Sequence, residues 1–297
     1  MPRKAESGFR GGVMIKIVDI RYVRLGTPDL ERCVKYATET VGLELMGRVN
    51  GSAYVRGDDR DHNICYFKGD PKDQTVGFEV ATRPELDAAA RELEAAGVKV
   101  RWGSEDEGKA RRVMKFITFK DPSGNGVDLV LRPFHCGRRY FPSRDAGIQE
   151  FSHIGLKTSN APRDEAFWTT LFNFRTNDWI GDAALLSFDK VHHRIALFPA
   201  PVPGVQHINF QVESVDDIMR SHYFLRDRQV RIVFGPGRHA TSTAQFLYFE
   251  GPDGMIYEYS HGVRLIEDPN YRPRQFPFEN ISFCVWGSKP DIPEFRS

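Results

Sequence analysis

Ile17, Val18, Ile20, Tyr22, Val23 and Leu25, interspersed with polar residues, mark Lys16–Leu25 as a strand. The period then changes to that of a helix over Pro28–Glu39, with Leu30, Val34 and, just beyond, Val41 along one side. Thr27 is placed to cap this helix and Pro28 suits its first turn. Short strand-like runs continue to about Phe67. The same order then returns: strand Thr75–Val80, helix Arg83–Ala96, strand Val98–Arg101 and a pair of strands ending at Leu131. Thr82-Arg-Pro-Glu85 is a capping box for the second helix, and Gly97 stops it. From Phe151 the programme runs again, with strand Phe151–Thr158, helix Arg163–Phe172 and strands Leu185–Phe188 and Val191–Phe198. Strand His207–Val212, a helix from Val215 to about Arg228, strand Val230–Phe234 and a hairpin starting at Gln245 complete it.

The two halves of the chain align on three anchors. Thr27 corresponds to Thr158, Val80 to Val212 and Gly124 to Gly254, at offsets of 131, 132 and 130 residues. One period fitting three separate anchors marks an internal repeat. The pattern therefore predicts an α+β fold of four βαβββ modules paired into two similar domains, at 15–132 and 148–265. The segment 133–147, rich in Arg, Pro and Gly, is the expected linker. Residues 1–14 are basic, glycine-rich and polar, and are expected to be a disordered extension, with Met14 as an alternative start. The tail, 266–297, contains Phe276, Phe278, Ile281, Phe283, Val285 and Trp286 and is too apolar to be disordered. It is expected to pack on the second domain as a lid or subunit contact.

Composition narrows the function by exclusion. A formal net charge of +1 over 297 residues argues against nucleic acid or an anionic membrane as the main partner. No apolar run approaches the roughly 18 residues needed to span a bilayer. Cys33, Cys65, Cys136 and Cys284 are scattered without a CxxC pair, which reads as reduced thiols in a cytoplasmic protein.

The candidate chemistry gathers in the last module. Gly237-Arg-His239 is followed by Leu247-Tyr248, then Pro252-Asp-Gly254 and Glu258. A glycine-bounded loop thus delivers a histidine, and a hairpin aims Tyr248 and Glu258 into one cavity. Strand alternation puts Phe246, Tyr248 and Glu250 on one face and Leu247 and Phe249 on the other. In His207–Val212 the face made by His207, Asn209 and Gln211 is polar, which an ordinary core does not explain.

This spacing resembles the signature of type I extradiol ring-cleaving dioxygenases, within the vicinal-oxygen-chelate superfamily. One position departs from it: Gly251 stands where the family usually has Asp, Glu, Asn, Thr or Ala. The resemblance implies domains shaped as curved, half-open barrels, only the second of them catalytic. It implies one mononuclear Fe(II), with Mn(II) as an alternative, held by His153, His207 and Glu258. The partners implied are a small aromatic diol and O2, in a homo-oligomer (dimer, tetramer or octamer). An ortho-diphenol would chelate the metal through both oxygens and be cleaved beside its hydroxyls to a hydroxymuconic semialdehyde-type product. His193 would be the general acid–base, chosen over His192 because the family's paired-histidine pattern assigns the role to the second. His239 and Tyr248 would hydrogen-bond the substrate oxygens.

By the same offsets the three ligand positions fall on Tyr22, Thr75 and Asp128 in the N-terminal half, which is accordingly expected to be metal-free. His62, aligned with the His192-His193 pair, reads as a relic or a surface histidine, and His135, His222 and His261 as structural. Rival readings are a glyoxalase- or epimerase-like metalloenzyme and a non-catalytic binding protein of the same superfamily. Neither needs His193, His239 and Tyr248 together. Phe188, Trp179, Phe246 and Tyr257 are candidate walls for a substituted or bicyclic catechol.

Overall fold

A computed structural model describes residues 12–296. The N-terminal half runs β1 (Asp19–Thr27), α1 (Leu30–Tyr36), β2 (Glu44–Val49), β3 (Ser52–Arg56), β4 (Ile64–Lys68), β5 (Gln74–Val80) and α2 (Arg83–Ala95). It continues with β6 (Arg101–Trp102), α3 (Glu105–Arg111), β7 (Val113–Lys120) and β8 (Gly126–Pro133). The C-terminal half repeats this as β9 (Ile148–Thr158), α4 (Ala161–Leu171), β10 (Arg175–Ile180), β11 (Ala183–Ser187) and β12 (Ile195–Pro199). Then come β13 (Gly204–Val212), α5 (Val215–Asp227), β14 (Ile232–Arg238), β15 (Gln245–Glu250) and β16 (Ile256–His261), followed by β17 (Arg274–Phe276) and α6 (Asn280–Phe283) in the tail.

Each half builds one sheet from two modules. The first is ordered β2-β3-β4-β1-β5-β8-β7-β6 and the second β14-β15-β16-β13-β9-β12-β11-β10-β17. The modules join antiparallel at the centre, β1 on β5 and β9 on β13, while β4 and β8 or β12 and β16 flank them in parallel. The fold class read from the repeat is the observed one, and the strand alternation holds where it matters. Leu247 and Phe249 enter the main apolar core, whereas Phe246 and Tyr248 join a second cluster on the opposite face. Ile208, Phe210 and Val212 likewise pack inward, leaving the polar face of β13 free for the site.

A single apolar core runs between the two sheets. The ring of Trp168 from α4 lies 5.7 Å from Phe78 of β5, and Phe172 stacks on Phe119 of β7 at 6.2 Å. Tyr66 and Tyr257 share a buried hydroxyl hydrogen bond of 2.6 Å across the halves. Large side chains buried this fully contribute about 1.5–3 kcal/mol each, so the halves stabilise one another. The predicted wall residues divide accordingly: Tyr257 belongs to this core, and Phe188 and Trp179 pack against it. Phe246 alone of the four sits in the cluster beside the site.

Local differences from the sequence pattern have identifiable causes. The cap of α1 is Asp29, whose carboxylate accepts from the Arg32 N–H. Thr27 instead accepts from the Asp29 N–H and donates to Asp253 at 2.7 Å, tying β1 to the fourth module. Helix α1 widens into a π-turn, Ala37–Val41, closed by Gly42 at φ 82°. Strand β6 is shorter than predicted, and α3 follows it with its own capping box, Ser104 and Glu107. Strand β10 carries a bulge between Thr176 and Asp178 that breaks its alternation. Gly251 is accounted for as well: a Cβ there would stand 2.6 Å from the Tyr257 ring and 2.9 Å from that of Tyr36.

The tail adds β17 in parallel to the β10 edge and then crosses the open face of the second sheet. Phe283, Cys284, Ile292 and Phe295 are buried there against Phe234, Phe246 and Tyr248. Trp286, Ile281 and Val285, also among the apolar residues of the tail, are 53%, 56% and 44% exposed. The expectation of a disordered N-terminus falls mostly outside the described residues. No helix among the described residues is long and apolar enough to cross a membrane.

Candidate metal centre

Three adjacent central strands of the second sheet, β9, β13 and β16, bring His153, His207 and Glu258 together. Asn209 is the register partner of both His153 and Glu258, and His207 lies two residues before it on the same face. His153 Nε2 is 3.0 Å and His207 Nε2 is 3.4 Å from Glu258 Oε2, and the two histidine nitrogens are 3.1 Å apart. All three residues are buried. Ligand atoms about 2.1 Å from a shared ion stand about 3.0 Å apart at right angles and about 3.4 Å apart at tetrahedral angles. The observed spacings fall in that interval.

The protonation states suit the same purpose. Burial pushes the His207 imidazole down to about 3, against the attraction of Glu258. Burial alone would raise the Glu258 carboxyl, but His153, then His239 and His207, outweigh it and hold it well below the carboxylate range. Neutral imidazoles and an ionised carboxylate are the forms that bind metal. Both Glu258 oxygens are buried without an aligned hydrogen bond, although the histidine nitrogens lie within ion-pair distance. Buried carboxylates are ordinarily hydrogen-bonded, so this exception points to a cation as the missing partner. The residues fit a divalent metal.

Supporting groups fix these rings. The Gln206 carboxamide oxygen accepts from His207 Nδ1, which leaves Nε2 toward Glu258. Gly155, opposite His207 on β9, leaves room for the ring, because a Cβ there would lie 2.5 Å from His207 Nδ1. Gln206 could not be found by alternation. A register shift between Val205 and His207 lets neighbouring residues serve one ring.

The other three predicted residues surround this cluster. The His193 ring centroid is 4.2 Å from that of His153, and burial with its histidine neighbours keeps its imidazole well below the ordinary range. His192 and His193 precede β12 on a bend, so the strand expected from Val191 begins only at Ile195. His239 stacks on Phe246 at 3.9 Å, and its Nδ1 donates to the Phe283 carbonyl at 2.8 Å. Its Nε2 lies 3.2 Å from the Tyr248 hydroxyl and 3.5 Å from Glu258 Oε1. Burial and then the nearby Glu258 charge push the Tyr248 phenol well up, so it stays protonated. Tyr248 and Glu258 are directly opposed in the β15–β16 register.

In the N-terminal half the corresponding residues form a different structure. Asp128 accepts from the Tyr22 hydroxyl at 2.9 Å and from Arg111 Nε at 2.7 Å. His62 is buried rather than at the surface, because its ring stacks on Tyr22 at 5.2 Å and its Nδ1 pairs with Asp61 at 3.1 Å.

A duplicated βαβββ protein with one buried two-histidine, one-carboxylate cluster among its described residues is the class that fold and site define together. Residues 19–129 and 150–259 each match the profile of the Glyoxalase/Bleomycin resistance protein/Dioxygenase superfamily, and the chain belongs to that family. It is 26% identical over 269 residues to a biphenyl-2,3-diol 1,2-dioxygenase of Sphingomonas paucimobilis, covering 84% of this chain and 90% of that one. It is 27% identical to an iron-dependent extradiol dioxygenase of Rhodococcus jostii, over 92% of this chain and 97% of the relative. The fold superimposes on homoprotocatechuate 2,3-dioxygenase from Arthrobacter globiformis with a TM-score of 0.85, at 22% identity over 95% and 91% of the two chains.

Proposed function

We propose that the C-terminal half is an extradiol dioxygenase that opens the ring of a substituted catechol beside its hydroxyls. The observation that carries this reading is the buried convergence of His153, His207 and Glu258, with His193, His239 and Tyr248 around it. The first three would hold Fe(II), or Mn(II), which the same donors accept. The metal, when bound, supplies the redox centre that lets electrons pass from diol to O2. Both oxygen atoms enter the product as a C–C and the O–O bond break, so no external reductant is needed.

The protein's own residues then do the rest. His193, neutral in its buried setting, takes a proton from one substrate hydroxyl and returns it later. The Tyr248 hydroxyl and the His239 ring orient the substrate oxygens by hydrogen bonds. Phe246 and Phe234, with Phe283 and Phe295 of the tail, keep bulk water from the site. The glyoxalase- or epimerase-like alternative uses such ligands for proton transfer but has no need of the His239–Tyr248 pair. The division into domains at 15–132 and 148–265, the linker 133–147 and the tail 266–297 belong to this reading. So do a homo-oligomeric state and a cytoplasmic location, the latter supported by four free cysteines.

Anaerobic loading with Fe(II), followed by oxygen uptake on a panel of catechols, tests the proposal. Stoichiometric uptake with a yellow ring-opened product is expected. Metal binding without uptake on any diol would sink it.

A further inference from the structure

A chain of hydrogen bonds leaves the site through His193 and ends in the tail. His193 Nδ1 lies 3.1 Å from His192 Nδ1, and His192 Nε2 lies 2.8 Å from Asp178 Oδ2. Asp178 and His192 are both fully buried. The carboxylate is gripped from the tail side. Arg274 gives Oδ1 its backbone N–H at 2.9 Å and Nε at 3.1 Å, and gives Oδ2 its Nη2 at 2.6 Å. The Tyr271 hydroxyl donates to Oδ1 at 3.0 Å, and Arg274 Nη2 is itself fixed on the Thr241 carbonyl. The Asn177 side chain and the Arg264 carbonyl hold the His192 backbone.

The polarity of this chain follows from its end. Asp178 is surrounded by donors, and a carboxylate can only accept. Burial alone would raise it, yet His192 and Arg274 together bring it below the ordinary value, so it is ionised. His192 must then donate from Nε2. Burial lowers the His192 imidazole despite Asp178, so the ring is neutral and its Nδ1 is an acceptor. The proton between the two histidines belongs to His193 Nδ1. His193 Nε2 is consequently the bare nitrogen, the one left to the cavity.

We infer that Asp178 and His192, clamped by Arg274 of the tail, are positioning residues that fix the tautomer and orientation of His193. The inference rests on the acid–base role of His193 proposed above, but its structural content does not depend on turnover. It also changes the standing of His192, which the sequence leaves as a neighbour of the working histidine.

Substitutions separate polarity from packing. In Asp178→Asn the carboxamide oxygen turns to Arg274 and its NH2 faces His192, which reverses every donor in the chain and puts the proton on His193 Nε2. His192→Gln keeps the original polarity, accepting from His193 through its oxygen and donating to Asp178 through its nitrogen. His192→Phe removes the link altogether. Histidine 15N NMR of the full-length chain, with and without Zn(II) as a diamagnetic probe, reads the tautomer directly. Nδ1–H on His193 is expected in the unaltered protein and in His192→Gln, and Nε2–H in Asp178→Asn. In steady-state assays Asp178→Asn and His192→Phe should lose about 10²-fold in kcat with KM and metal content unchanged, and His192→Gln should recover most of it. Nε2–H on His193 in the unaltered protein, the same tautomer in Asp178→Asn, or a loss confined to KM would overturn the inference. If no diol is cleaved, the functional proposal fails while the NMR result still decides this one.

Discussion

The two sheets place a carboxylate at the same point of the repeat and neutralise it in different ways. In the first, Asp128 is met by Arg111, which arrives on α3, and by the Tyr22 hydroxyl. In the second, Glu258 faces His153 and His207 and has no arginine or lysine paired with it among the described residues. Between β14 and β15, where α3 would fall, there is a loop carrying His239 instead of a helix carrying arginine. A buried carboxylate needs a partner charge. One half supplies a permanent guanidinium from its own chain, and the other has the donors to take a metal ion. The open faces differ too. The first borders a partly open cleft of about 1260 Å³ lined by Arg24, Thr75, Arg111 and Thr118, with Leu156 and Val205 from the other half, whereas the tail covers the second.

The most direct way to break this comparison is to count metal. One equivalent per chain is expected, lost together with all turnover in His207→Ala and untouched in Thr75→Ala. Two equivalents by elemental analysis, or iron retained after His207→Ala, would mean that the first sheet also binds. A graft sharpens the point. Tyr22→His with Thr75→His restores the ligand types beside Asp128, but Arg111 still occupies the carboxylate. A second equivalent of Zn(II) is expected only when Arg111→Ala is added, and binding without it would show that the arginine is not what excludes metal.

Those predictions draw on residues that the family resemblance picks out of the amino-acid sequence, and strand geometry supports the choice. His153, His207 and Glu258 lie on central strands, where a period of two accounts for the polar face that carries His207. The groups that orient them are hidden from the same reasoning. Gln206 is displaced by a bulge, and His192 and His193 sit on a bend where alternation says nothing. Arg274 reaches Asp178 from 96 residues away, and the Phe283 group that holds His239 is a backbone carbonyl, which no side-chain pattern encodes. Helix α3 does carry a start signal in Ser104 and Glu107, but five of its seven residues are charged and the others are Gly108 and Ala110, so it lacks an apolar face and periodicity does not reveal it.

The covering of one sheet and not the other gives the next test. Removing residues from Pro269 onward deletes the clamp on Asp178 and the carbonyl on His239, and uncovers Phe234 and Phe246. A loss of roughly 10²-fold in kcat is expected, with iron retained by its three ligands. Trp286→Ala controls for the simpler account. Its exposed ring lies outside the buried cluster, so turnover should persist even where the assembly on sizing becomes smaller. Full cleavage by the truncated chain, with only a smaller assembly, would reduce the tail to a subunit contact.

The smallest expected difference lies in the turns that close the two hairpins, where Asp121 in the first sheet corresponds to Gly251 in the second. Asp121 is buried. Burial pushes its carboxyl up to about 6, beyond what hydrogen bonds from Asn125 and Gly124 recover, and the nearby Asp164 adds to the rise. A raised folded value means that the native state holds this proton more tightly than the unfolded chain, whose value is near 3.8. The associated stability is therefore present in full below pH about 4 and is lost as pH rises through about 6. A shift of that size corresponds to about 3 kcal/mol across the interval. Asp121→Asn cannot ionise and should remove this component. It leaves Asn125 Nδ2 facing a donor in place of Oδ2, a cost that does not vary with pH. Measured by denaturant unfolding, the variant should accordingly gain on the unaltered protein between pH 4 and 7 and then level off, with ring cleavage unaffected. A difference in stability that stays constant over that range would show that Asp121 is ionised throughout, and that the first turn differs from the second in sequence alone.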